Sequence, residues 1–160
     1  MKASSHLGYT VSKEDIKHDK IVGSVSMPSR EIFRLQDEVW REWEQLPPTE
    51  AGIPEIVLGL RNNGYKVYIA TSRPCRSAIL VVKWLKKICI TYDEFHSLGP
   101  YKAKAEIDCD FLVDDSLYQI KRIIDRGKTG LLYQQPWNEK SNILGAARIR
   151  SLAEVTLHLT

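Results

Sequence analysis

FLVDDS (111–116) is a short apolar run that ends in adjacent carboxylates, and it decides how the rest of the chain is read. Phe111, Leu112 and Val113 carry no polar side-chain atom, which suits a strand buried on both faces. Strands of that kind belong to parallel sheets covered by helices. Two carboxylates side by side at a strand end repel each other and resist desolvation unless a cation neutralises them. Mg2+ is the usual answer, because it takes oxygen ligands and bridges to phosphate. Asp114 and Asp115 are therefore candidate metal ligands. The plainer reading makes them a turn and an N-cap for the next helix, a role for which Ser116 competes.

Outward from this run, strands and helices alternate. Leu117 to Arg126 reads as a helix closed by Gly127, and Thr129 to Tyr133 as another strand. Ser151-Leu152-Ala153-Glu154 has capping-box spacing and opens a last short helix. Upstream, GYKVYIATSRP (64–74) contains a buried strand over 65–70 that ends at Thr71-Ser72-Arg73-Pro74. A helix with a strongly apolar face follows over 77–87, then a short strand over 94–98. Pro54 to Asn63 reads as a helix stopped by Asn-Asn-Gly. Apolar residues at 32, 35, 39, 43 and 46 make an amphipathic helix of 29–45, which Leu46-Pro47-Pro48 ends. Residues 1–27 are polar, and Ile21–Val25 is the one short strand candidate there.

Strands alternating with helices imply βαβ units and a mostly parallel sheet. Ligands in such sheets sit beyond the carboxyl ends of the strands, so the polar tips after Ala70 and Val113 mark one site. Hydroxyls and free backbone N–H groups at a helix start suit an anion, which makes Thr71 and Ser72 candidate phosphate contacts or simple helix caps. Arg73 is read as contacting either substrate or a carboxylate. Lys104, with Lys102 as its rival, can neutralise both phosphate and carboxylate charge. Trp40 and Trp43 either line a nucleobase pocket or form the buried face of helix 29–45.

Composition bounds this reading. The 160 residues are 43% hydrophobic and 27% charged, which fits one globular domain. A net charge of +3 is too mild to require nucleic acid. Cys75, Cys89 and Cys109 show no CxxC spacing, so neither a disulfide framework nor a zinc site is expected. No apolar run approaches the ~20 residues of a membrane span. The first residues lack a signal-peptide core, so the expected location is cytoplasmic and no membrane partner is expected.

The order of a strand with Thr71, then Lys104, then an apolar strand with Asp114-Asp115 resembles the haloacid dehalogenase superfamily of phosphohydrolases. GYKVYIATSRP (64–74), FLVDDS (111–116) and LLYQQPWNE (131–139) look like its 5'(3')-deoxyribonucleotidase-like branch. The resemblance covers roughly residues 7–160. It implies a three-layer α/β/α sandwich with a mostly parallel sheet and a small helical cap. The cap-like segment would be 1–50 and the core 51–160, in one compact unit. It implies Mg2+ at Asp114 and Asp115, Lys104 as a catalytic residue, and Thr71, Ser72 and Arg73 on phosphate. The implied partner is a phosphate-bearing small molecule of the nucleotide kind.

Family catalysis begins with a DxD at the end of the first, central strand, whose first Asp attacks phosphorus. The DxD here is Asp108-Cys109-Asp110, which precedes its strand and so lies at the other end of the sheet from Asp114. Residues 1–27 contain Asp15 and Asp19 but no DxD. The chain is thus expected to begin after that motif and to hydrolyse phosphomonoesters poorly by itself. The strands ending at Thr71 and Asp114 are expected to have open edges, filled by Ile21–Val25, a second copy or another chain. The competing class is a non-enzymatic module on the same fold that serves in interaction or regulation.

Overall fold

The computed structural model describes residues 29–73, 75–99 and 102–159. Its elements run α1 (Ser29–Arg41), a 3-10 turn (Trp43–Gln45), α2 (Ile53–Asn62), β1 (Tyr68–Thr71), α3 (Cys75–Lys87) and β2 (Glu94–Ser97). After a second 3-10 turn (Lys104–Glu106) come β3 (Phe111–Asp114), α4 (Leu117–Ile124), β4 (Thr129–Tyr133), β5 (Ala147–Ile149) and a 3-10 helix (Leu152–Leu157). This is a mixed α/β chain, and its strands pair in parallel. No helix among the described residues is long and apolar enough to cross a membrane.

The described strands form two sheets. β1 pairs with β2, while β3, β4 and β5 run in that order. Registers such as Ala70 with His96 and Val113 with Leu131 put the carboxyl ends of paired strands together. Among the described residues, β1 pairs only with β2 and β3 only with β4. Ile21–Val25, the proposed filler of an open edge, lies outside the described residues.

Element ends follow local chemistry. α1 stops at Arg41 and its last expected turn tightens into 3-10 geometry, because Pro47 forces Leu46 into extended backbone (φ −75°, ψ 118°). β1 starts at Tyr68 and not at Tyr65, because the upstream backbone bonds elsewhere. Tyr65 N donates to Leu60 O at the end of α2, and Val67 N to Asp93 Oδ2 (2.8 Å). The turn that follows α3 closes at Cys89 with φ 58°, a left-handed conformation usually taken by glycine. Gly127 closes α4 the same way (φ 73°). Ser151 caps the last helix by accepting from Ala153 N at 3.1 Å, and that helix is 3-10, not α.

Three apolar clusters hold the elements. The first joins Ile53, Val57, Val81, Leu85 and Ile90, with Trp40, Trp84 and Leu152 packed on it. The second lies under α4 and centres on Ile120 and Ile123, both fully buried. The third joins Leu131, Ile149 and Val155, with Leu60 and Leu152 against it. Leu152 belongs to both the first and the third, so it couples the β1–β2 half to the β3–β4–β5 half. Glu50 reinforces that seam, its Oε1 accepting from Leu152 N at 2.7 Å across 102 positions of sequence.

Candidate functional site

β3 delivers Asp114 at its carboxyl end, where the side chain is buried (6% of the residue exposed). Both of its oxygens are engaged. Lys104 Nζ lies 2.5 Å from Oδ2, and Ser116 N donates to Oδ1 at 2.9 Å. Lys104 reaches this position because it stands between Ala103 and Ala105, both almost fully buried, at the start of the 3-10 turn. Its backbone N donates to Gln119 Oε1 on α4 (2.8 Å). A largely buried pair of this sort carries little net stability, yet removing Lys104 would leave the buried Asp114 carboxylate without its cation.

Asp115 stands in a different state. Burial first, then the charge of Asp114, raises its carboxyl to about 6, with Lys104 opposing. Among the described residues no cation forms an ion pair with it. The strand end therefore holds one neutralised carboxylate and one that is not.

At the end of β1, Thr71 Oγ1 accepts from Arg73 N (3.2 Å), a hydroxyl-closed turn. Leu98 N donates to Thr71 O, and Ser97 Oγ to Arg73 O, tying the tip of β1 to the end of β2. Ser72 lies half-buried within that turn. The Arg73 guanidinium sits 4.5 Å from the centre of the Trp40 ring on α1. Burial lowers its pKa, and Asp37 acts in the opposite direction. Trp40 packs on the first core cluster, edge to face with Trp84 at 6.2 Å, so its ring belongs to the buried face of α1.

The fold thus brings Lys104, Asp114 and Asp115 together. Among the described residues, no hydrogen bond or ion pair joins Thr71, Ser72 or Arg73 to that trio. Asp108 lies before β3, fully exposed, with Lys128 Nζ at 2.9 Å. Burial raises the pKa of the Cys109 thiol beside it.

Sequence reasoning missed Gln119, which fixes Lys104, and it read Asn138 in LLYQQPWNE (131–139) as loop packing in preference to a substrate contact. Asn138 is fully buried and bonds the backbone of Asp115. Gln119 had no legible signal, since one glutamine on a helix looks like a surface residue, and the segment holding Asn138 was singled out without the role of that side chain.

Mg2+ uses one or two carboxylates and keeps several waters. Among the described residues there is no group of three acidic, His or Cys side chains placed to hold a metal. Asp114 already has a lysine and an amide, which leaves Asp115 as the carboxylate of the two without an ion pair among the described residues. No protein-family model and no curated protein matches the chain.

Proposed function

We propose that this protein carries the phosphate- and Mg2+-binding site of a haloacid dehalogenase-like phosphohydrolase, of the nucleotidase-like kind. One observation carries the reading: the Lys104–Asp114 pair next to Asp115, a carboxylate with no ion pair of its own among the described residues, at the carboxyl end of a parallel strand. In this reading Asp115, with Asp114 behind it, holds Mg2+, which when bound would neutralise phosphate charge. Lys104 neutralises and orients Asp114, and presents positive charge toward a phosphate. Thr71, Ser72 and Arg73 supply the phosphate contacts from the end of β1, and the ligand is a phosphate-bearing small molecule such as a nucleotide.

No covalent step is assigned to this chain. Its DxD is Asp108-Cys109-Asp110, and the Asp108 carboxylate is exposed and paired with Lys128 in front of the strand. Binding without an in-line nucleophile leaves little turnover. A second reading, an interaction module completed by a second copy or another chain, is favoured by β1 and β3 each pairing on one side among the described residues.

Calorimetric titration with Mg2+, then with inorganic phosphate in its presence, tests the site. Mg2+ should bind the wild type, and Asp115→Asn should weaken it at least about 10-fold. Absence of Mg2+ binding at millimolar concentrations would overturn the metal site. Efficient release of phosphate from nucleoside monophosphates by the chain alone would overturn the binding-only assignment.

A further inference from the structure

Asn138 is completely buried, and every polar atom of its side chain is used. Nδ2 donates to Asp115 O and to Tyr133 O, both at 2.9 Å. Oδ1 accepts from Gln135 N (3.0 Å) and from Arg148 Nη1 (3.1 Å). Arg148 Nη2 donates to Asn138 O (3.1 Å) and also to Ser141 O. One side chain thus joins backbone at the ends of β3 and β4 to an arginine standing on β5.

The contact to Asp115 falls on a particular peptide. A trans peptide is planar, with its C=O and N–H pointing in opposite directions. The carbonyl of the Asp115–Ser116 peptide is held by Asn138, and the N–H of the same unit donates to Asp114 Oδ1. Rotating that plane would break both bonds at once.

We propose that Asn138, braced by Arg148, is a positioning residue for the acidic pair. By clamping the 115–116 peptide it aims the Ser116 N–H at Asp114 and fixes the backbone carbonyl of Asp115. The proposal rests on the reading of Asp114 and Asp115 as a cation site, and its test separates the two.

The 15N-labelled full chain is examined by amide NMR, without metal and then during Mg2+ titration. An N–H bonded to a carboxylate resonates downfield, so Ser116 reports the clamp directly. Asn138→Asp keeps the size but removes both donors and faces two carbonyls with an anion. The Ser116 amide should move upfield while amides of β1, such as Ala70, stay in place, and Mg2+ affinity should drop about 10–100-fold. If the variant does not fold, Arg148→Lys, which keeps the charge but loses the fork, should move the same amide in the same direction. A Ser116 amide unchanged in either folded variant overturns the proposal. An amide that moves although the wild type binds no Mg2+ upholds the positioning and overturns the metal reading alone.

Discussion

Asp115 makes the stability of this fold depend on pH. Its carboxyl ordinarily titrates at 3.8 and is raised to about 6, chiefly by burial and then by Asp114. Between those values the folded chain holds a proton that the unfolded chain has lost. Stability therefore falls as pH rises through the window and is lowest, for this group, above it. The effect is on the order of 1–2 kcal/mol after solvent screening is allowed for. Asp115→Asn removes the charge and offers an N–H to Asp114. It should raise the melting temperature at pH 7.5 by about 2–6 °C and flatten the dependence between pH 4 and 6. Thermal melts in chelator check this, and a variant that melts lower at pH 7.5 would refute the assignment of strain to Asp115. Asp114, Asp115 and Lys104 were legible in the sequence because charge at the end of an apolar run is conspicuous. Asn138 was not, because the same residue type serves equally well in an exposed turn.

Among the elements, β4 and α4 fit each other through an absent methyl group. A Cβ built on Gly130 would lie 3.0 Å from Ile120 Cγ2, 3.1 Å from Ile123 Cγ2 and 3.2 Å from Ile124 Cγ1. Ile120 and Ile123 are fully buried, so neither can move cheaply. Gly130→Ala gains up to about 1 kcal/mol of chain entropy but overpacks by about 1–3 kcal/mol, and overpacking should win. Gly59, inside α2, meets nothing within 4 Å, so Gly59→Ala should stabilise by about 0.5–1 kcal/mol. Denaturant unfolding of the two variants should give shifts of opposite sign, and a stabilised Gly130→Ala would contradict the packing described. Most elements were readable from periodicity. β1 was read three residues too early, because Asp93 captures Val67 N from a distant part of the chain. β5 escaped because Ala147-Arg148-Ile149 is too short for alternation to register.

For the whole molecule, the sequence conveyed an α/β chain with parallel strands and led to the expectation of open edges beside the strands ending at Thr71 and Asp114, where the described strands divide into two sheets. The two halves meet at Leu152 and Glu50, and β4 is the one described strand paired on both sides. Leu131 and Leu132 within it are almost fully buried. Hydrogen exchange of the chain alone should therefore be slowest in β4 and faster in β1. Equal protection of β1 would mean that its second edge is covered in the single chain.

Cys89 bears on how a sample of this protein ages. Its thiol is exposed, on a left-handed residue that has no need of a side chain. Air can join two such thiols into a covalent pair of molecules unrelated to any sheet edge, and an assay of self-association would count them as dimers. Cys89→Gly would remove that artefact, relax the end of α3 and give a reagent suited to long storage.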